Sequence, residues 1–60
     1  MTLKELGDKL EQTINGLETK LRHDYPDYEP WEIQGSDGRY LLLDAYAALG
    51  QVRAAERRSE

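Results

Sequence analysis

Apolar residues return along the first third of the chain at Leu3, Leu10, Ile14, Leu17 and Leu21, and with Gly7 in the series the spacings alternate between four and three. That period places them in a single seam along an α-helix, as in a coiled coil. Leu6 widens the seam at its start. The opening Thr2-Leu3-Lys4-Glu5 reads as a capping box: the Thr2 hydroxyl accepts from the Glu5 amide while the Glu5 carboxylate reaches back to the Thr2 amide. Met1 and Leu6 stand where a hydrophobic staple would close over that turn. On the polar face Glu5–Lys9 and Glu18–Arg22 have the favourable order for i,i+4 ion pairs, worth about 0.3 kcal/mol each. The pattern therefore predicts a helix over residues 2–23. Gly7 is the exception within it, either a point of close backbone approach or a tolerated gap that costs about 1 kcal/mol against alanine.

The period then fails. Tyr25 precedes Pro26 and Glu29 precedes Pro30, and both are pushed out of helical geometry. The stretch from Asp24 to Trp31 suits polyproline II, whose threefold repeat would set Tyr25, Tyr28 and Trp31 on one face. Two readings of that face stand side by side. It packs down across the helices and closes the core, or it anchors a basic partner with the surrounding acids as its rim. Trp31-Glu32-Ile33-Gln34 alternates like a short strand, with Gly35-Ser36-Asp37-Gly38 as the turn behind it. Its mate would be Arg39 to Leu41 or a second chain.

A second helix is predicted over residues 39–57, with Ser36 or Asp37 as its cap. Here the apolar pattern is too wide for one face. Leu41, Ala45, Ala48, Val52 and Ala55 form one seam; Leu42, Tyr46 and Leu49 form a second. Leu43, Ala47, Gly50 and Ala54 form a third, mostly of small residues. A helix apolar nearly all round is usually buried, and one amphipathic helix with one linker does not cover so much surface. The sequence thus predicts an all-α helical hairpin, two helices joined by an extended acidic aromatic linker, that pairs into a four-helix-bundle homodimer. The expected self-association residues are Leu41, Leu42, Ala45, Tyr46, Ala48, Leu49 and Val52. The competing arrangement is a monomer whose linker wraps the extra face.

Composition narrows this further. Sixty residues make one small domain, and chains of that size usually add disulfides, a metal or oligomerisation. The chain has no cysteine and a single histidine, His23, so disulfides and thiolate sites are excluded and no metal or cofactor site is expected. Self-association remains. No apolar run approaches the roughly 20 residues of a membrane span, and no basic segment followed by a hydrophobic one marks a signal peptide. A cytoplasmic protein is expected. The net charge of −4 resides in the middle: from Asp24 to Gly38 there are five acids and no base. Such a segment does not dock on phosphates, so nucleic acid is not an expected partner.

In the second half Glu29-Pro30-Trp31-Glu32-Ile33, Asp37-Gly38-Arg39, and Leu42-Leu43-Asp44-Ala45 with Ala47-Ala48-Leu49 resemble small orphan proteins encoded by bacteriophages of actinobacteria. The resemblance implies an accessory protein acting in a host cytoplasm and carries over no activity, cofactor or functional residue.

Catalysis needs a positioned nucleophile or acid–base pair in a site that excludes water, and neither His23 near a helix end nor an ordinary Gly-Ser-Asp-Gly turn supplies one. The expectation is a non-enzymatic protein-interaction module, a homodimer with Tyr25, Tyr28 and Trp31 as anchors for an unidentified protein partner. Two other classes compete. A DNA-associated regulator is opposed by the long linker, the acidic charge and the lack of a basic helix face. A small structural subunit of a larger assembly would use the same surplus apolar surface.

Overall fold

A computed structural model describes residues 1–59. Helix α1 spans Leu3–Asp24. Thr2 caps it as its sequence requires, in extended conformation with its hydroxyl accepting from the Glu5 amide at 3.1 Å. The return arm differs from the expected box, because the Glu5 carboxylate accepts from the Thr2 hydroxyl at 3.1 Å. The staple is not seated: Met1 is 83% exposed and Leu6 is 40% exposed. The ion pairs along α1 also differ from those expected. Lys4–Asp8 at 3.2 Å and Lys20–Asp24 at 3.0 Å form instead of Glu5–Lys9 and Glu18–Arg22. All are exposed i,i+4 pairs of similar small worth, so reach and competition for partners decide among them.

The expected polyproline II stretch is replaced by two tight turns. Tyr25 ends α1 by donating to the Leu21 carbonyl, and the Tyr28 amide then donates to the Tyr25 carbonyl at 3.2 Å. Pro30 opens a 3-10 turn, Pro30–Glu32, where its missing N–H is harmless and its fixed φ is already suitable. Pro30 is buried. Only Glu29, at φ −73° and ψ 139°, keeps the extended geometry that a residue before proline prefers.

Next comes a miniature hairpin without extended strands. Gln34 and Tyr40 form an isolated antiparallel bridge. Within it the Gly35 amide donates to the Arg39 carbonyl at 2.8 Å, and the Gly38 amide donates to the Gly35 carbonyl at 3.0 Å. Gly38 adopts φ +80°, a conformation open to glycine without steric penalty. This loop corrects the expected start of the second helix. The backbones of Arg39 and Tyr40 belong to the bridge, so helix α2 begins only at Leu41 and spans Leu41–Arg58. Tyr40 is its cap residue with no side-chain cap bond. Asp37 accepts from the Arg39 amide at 3.1 Å and stabilises the loop rather than the helix.

The two helices pack antiparallel as a hairpin. Ile14 and Leu21 of α1 meet Leu42 and Leu49 of α2 in a buried cluster, flanked by Leu10, Leu17, Ile33, Ala45 and Tyr46. Each fully buried side chain of this kind contributes about 1.5–3 kcal/mol. The inward stripe of α2 straddles two of the seams seen in the sequence, taking Leu42, Leu49, Ala45 and Tyr46 from both. Trp31 lies across the linker end, its ring stacked on Tyr46 at 5.3 Å between centroids.

Candidate functional surface

The two ends of the hairpin are held differently. At the linker end the apolar cluster and the Trp31–Tyr46 stack close the structure. At the opposite end no large apolar side chain is buried, and an ionic clasp takes over. Arg53 of α2 extends over Gly7 of α1, so close that a methyl at Gly7 would stand 2.7 Å from its Nη1. Its Nη2 donates to Asp8 at 2.9 Å and lies 3.7 Å from Glu11, while Nη1 donates to Glu56 at 3.2 Å. Gly7 is therefore a point of close approach, but to a guanidinium rather than to another backbone. The hydrogen bond from Arg53, and after it that from Lys4, holds the Asp8 carboxyl below its ordinary value. The same contacts with Asp8 and Glu56 hold the Arg53 guanidinium above its own. Gly7 stands out in the sequence, but nothing there shows that Arg53 occupies it, because Arg53 and its partner Asp8, beside Gly7, lie 45 positions apart.

The residues expected to bind partners divide. Trp31 is 41% exposed and shares its ring with Tyr46, so it is half core and half surface. Tyr25 is 50% and Tyr28 61% exposed. The closing of the core by a single aromatic face is thus realised by Trp31 alone. Around them the charge is partly compensated. Asp24 is held below its ordinary pKa by hydrogen bonds from His23 and then Lys20, and Glu29 lies 3.8 Å from Arg22. Asp27, Glu32 and Asp37 form no ion pair among the described residues.

The expected self-association residues divide as well. Leu42 and Leu49 are buried within the hairpin, and Ala45 and Tyr46 are packed against that core. Val52 is half-buried, whereas Leu41 and Ala48 are exposed. On the opposite flank of α2, Leu43 is 52% exposed, and Ala47 and Gly50 are exposed beside it. The excess of apolar surface is visible in the sequence, but which seam α1 takes is not, because α2 is apolar on several sides.

Among the described residues no pocket opens on the surface. No group of three or more His, Asp or Glu is placed to hold a metal ion among them. No helix among them is long and apolar enough to cross a membrane. The features that stand out are surfaces: the flank of α2 and the acidic aromatic turns. No protein-family model matches the chain, and neither a curated protein nor a solved structure matches it.

Proposed function

We propose that this chain is a non-enzymatic helical interaction module that functions as a homodimer and presents its acidic aromatic turns to another protein. The observation that carries this reading is its surplus apolar surface. The hairpin measures 42 × 20 × 15 Å with a radius of gyration of 13.2 Å, against about 10 Å for a compact chain of this length. Its accessible surface is 4641 Å², whereas a compact monomer of this mass exposes about 4,000 Å². The excess approaches the roughly 800 Å² that each partner buries in a stable interface. Four large apolar side chains form the buried cluster, while nine others, from Met1 to Leu43, are exposed. A rod so thinly filled gains most by lying against a second rod.

Tyr25 and Tyr28 then remain as exposed aromatic anchors beside carboxylates, a composition that fits a basic protein surface. The test of the dimer is thermal melting at protein concentrations differing by about 100-fold. A dimer that stabilises the fold raises the midpoint with concentration. A midpoint independent of concentration would reject it.

A further inference from the structure

We infer that a second copy of the chain docks antiparallel along the outer flank of α2, with Ala47 over Gly50 of the other copy and the acidic loop of each copy beside Arg57 and Arg58 of the other. This rests on the homodimer reading and adds to it the face, the direction and the charge pairing.

The face follows from what α1 leaves uncovered. Leu43, Ala47, Gly50 and Ala54 recur at spacings of four, three and four, which aligns them on one stripe of α2. The stripe lies away from Leu42 and Leu49, which face the core. Leu43 is 52% exposed, Ala47 and Gly50 are exposed, and Ala54 is half-buried. At Gly50 a methyl would meet nothing of its own chain within 4 Å, so the backbone there is open to approach. Gly7, by contrast, is occupied by Arg53. Glycine is unfavourable within a helix, and a second backbone approaching at Gly50 gives its presence a physical cause. Leu43 at one end of the stripe then covers Ala54 of the other copy, and the reverse contact follows from the two-fold axis.

The occupant and its direction follow from charge. Arg57 and Arg58 at the end of α2 form no ion pair among the described residues, nor do Glu32 and Asp37 in the loop before it. Arg39, the base nearest that loop in sequence, is already paired with Asp44 at 2.9 Å. An axis between Ala47 and Gly50 puts Arg57 about 13 Å to one side at the helical rise of 1.5 Å per residue. Leu41 of the opposite copy lies about 11 Å to that same side, so the two arginines come level with its loop. Parallel pairing would bring arginines to arginines and acids to acids, which costs affinity. A second copy is therefore the occupant that matches this face in charge at both ends.

The test is sedimentation equilibrium of the wild type and three variants, each checked for helix content by circular dichroism. The wild type is expected to dimerise. Ala47→Glu, at an exposed helical position, should leave helix content unchanged and weaken dimerisation by at least about 100-fold. Arg57→Glu with Arg58→Glu should weaken it by about 10-fold, and adding Glu32→Lys with Asp37→Lys in the same chain should restore it. A dimeric wild type with an equally dimeric Ala47→Glu overturns this face and leaves the homodimer reading standing. Failure of the second pair to restore what the first removes overturns the antiparallel direction. A monomeric wild type overturns both the face and the homodimer.

Discussion

Two glycines of α1 give opposite answers to the same substitution. At Gly16 a methyl would meet nothing within 4 Å, so Gly16→Ala should add the helix-propensity difference of about 1 kcal/mol. At Gly7 the same methyl stands 2.7 Å from the Arg53 Nη1, and the guanidinium must shift from its place over the helix. The gain in propensity is then offset by the loosened clasp, and Gly7→Ala should give a smaller gain than Gly16→Ala or a net loss. Denaturant midpoints of the two variants, measured at one protein concentration, decide this; equal gains would mean that the contact of Arg53 with Gly7 contributes nothing to stability. The clasp also carries a pH dependence of known sign. Because Arg53, and then Lys4, depress the Asp8 carboxyl in the folded state, its contribution is present above the unfolded value near about pH 4. It is lost as pH falls through the depressed folded value. Asp8→Asn should flatten the acid limb of the stability curve, and an unaltered limb would assign that limb to other carboxylates.

At the scale of elements the core is small enough for one residue to decide the outcome. Leu42 is fully buried, at 0% exposure, between α1 and the linker side of α2. Leu→Ala at such a position costs about 2–5 kcal/mol, while a core of this size supplies only about 3–5 kcal/mol. Leu42→Ala should therefore abolish cooperative unfolding, read as a broad, low-amplitude melting curve by circular dichroism. A sharp transition with a modest shift would show that the hairpin draws stability from elsewhere. The two helices and their order were legible because local signals mark them: the Thr2 cap, the heptad leucines of α1, and the prolines that end the period. The expected start of α2 is two residues early because the Gln34–Tyr40 bridge holds Arg39 and Tyr40; the alternation of Trp31 to Gln34 and its glycine turn mark that pairing as one option, but the apolar period of α2 gives no sign that it takes these residues from the helix. The linker was misjudged for a related reason. Its proline spacing fits an extended chain, but Tyr25 and Pro30 carbonyls accept backbone bonds that fold it into turns. The candidate surface was legible as an amount of apolar area, not as a face, because α2 is apolar on several sides and only packing against α1 selects among them.

For the whole molecule the governing fact is shape. A rod 42 Å long and 15 Å thick has few positions remote from solvent, so its side chains are shared between a thin core and a broad surface. The ends are unlike: apolar packing and the Trp31–Tyr46 stack at one, a clasp of partly buried charges at the other. Salt screens the second far more than the first. Amide exchange in the first turns of α1 and the last turns of α2 should accelerate with added salt before the middle of either helix does. Uniform exchange along both helices would remove the distinction between the ends. In the proposed homodimer the apolar flank left by this hairpin is covered by a second copy. The most direct test is the mass of the wild-type protein by sedimentation equilibrium across a wide concentration range. A homodimer should give a species of twice the 6.9 kDa chain mass that dissociates on dilution. A fully helical protein that stays at the mass of one chain at every concentration would contradict it.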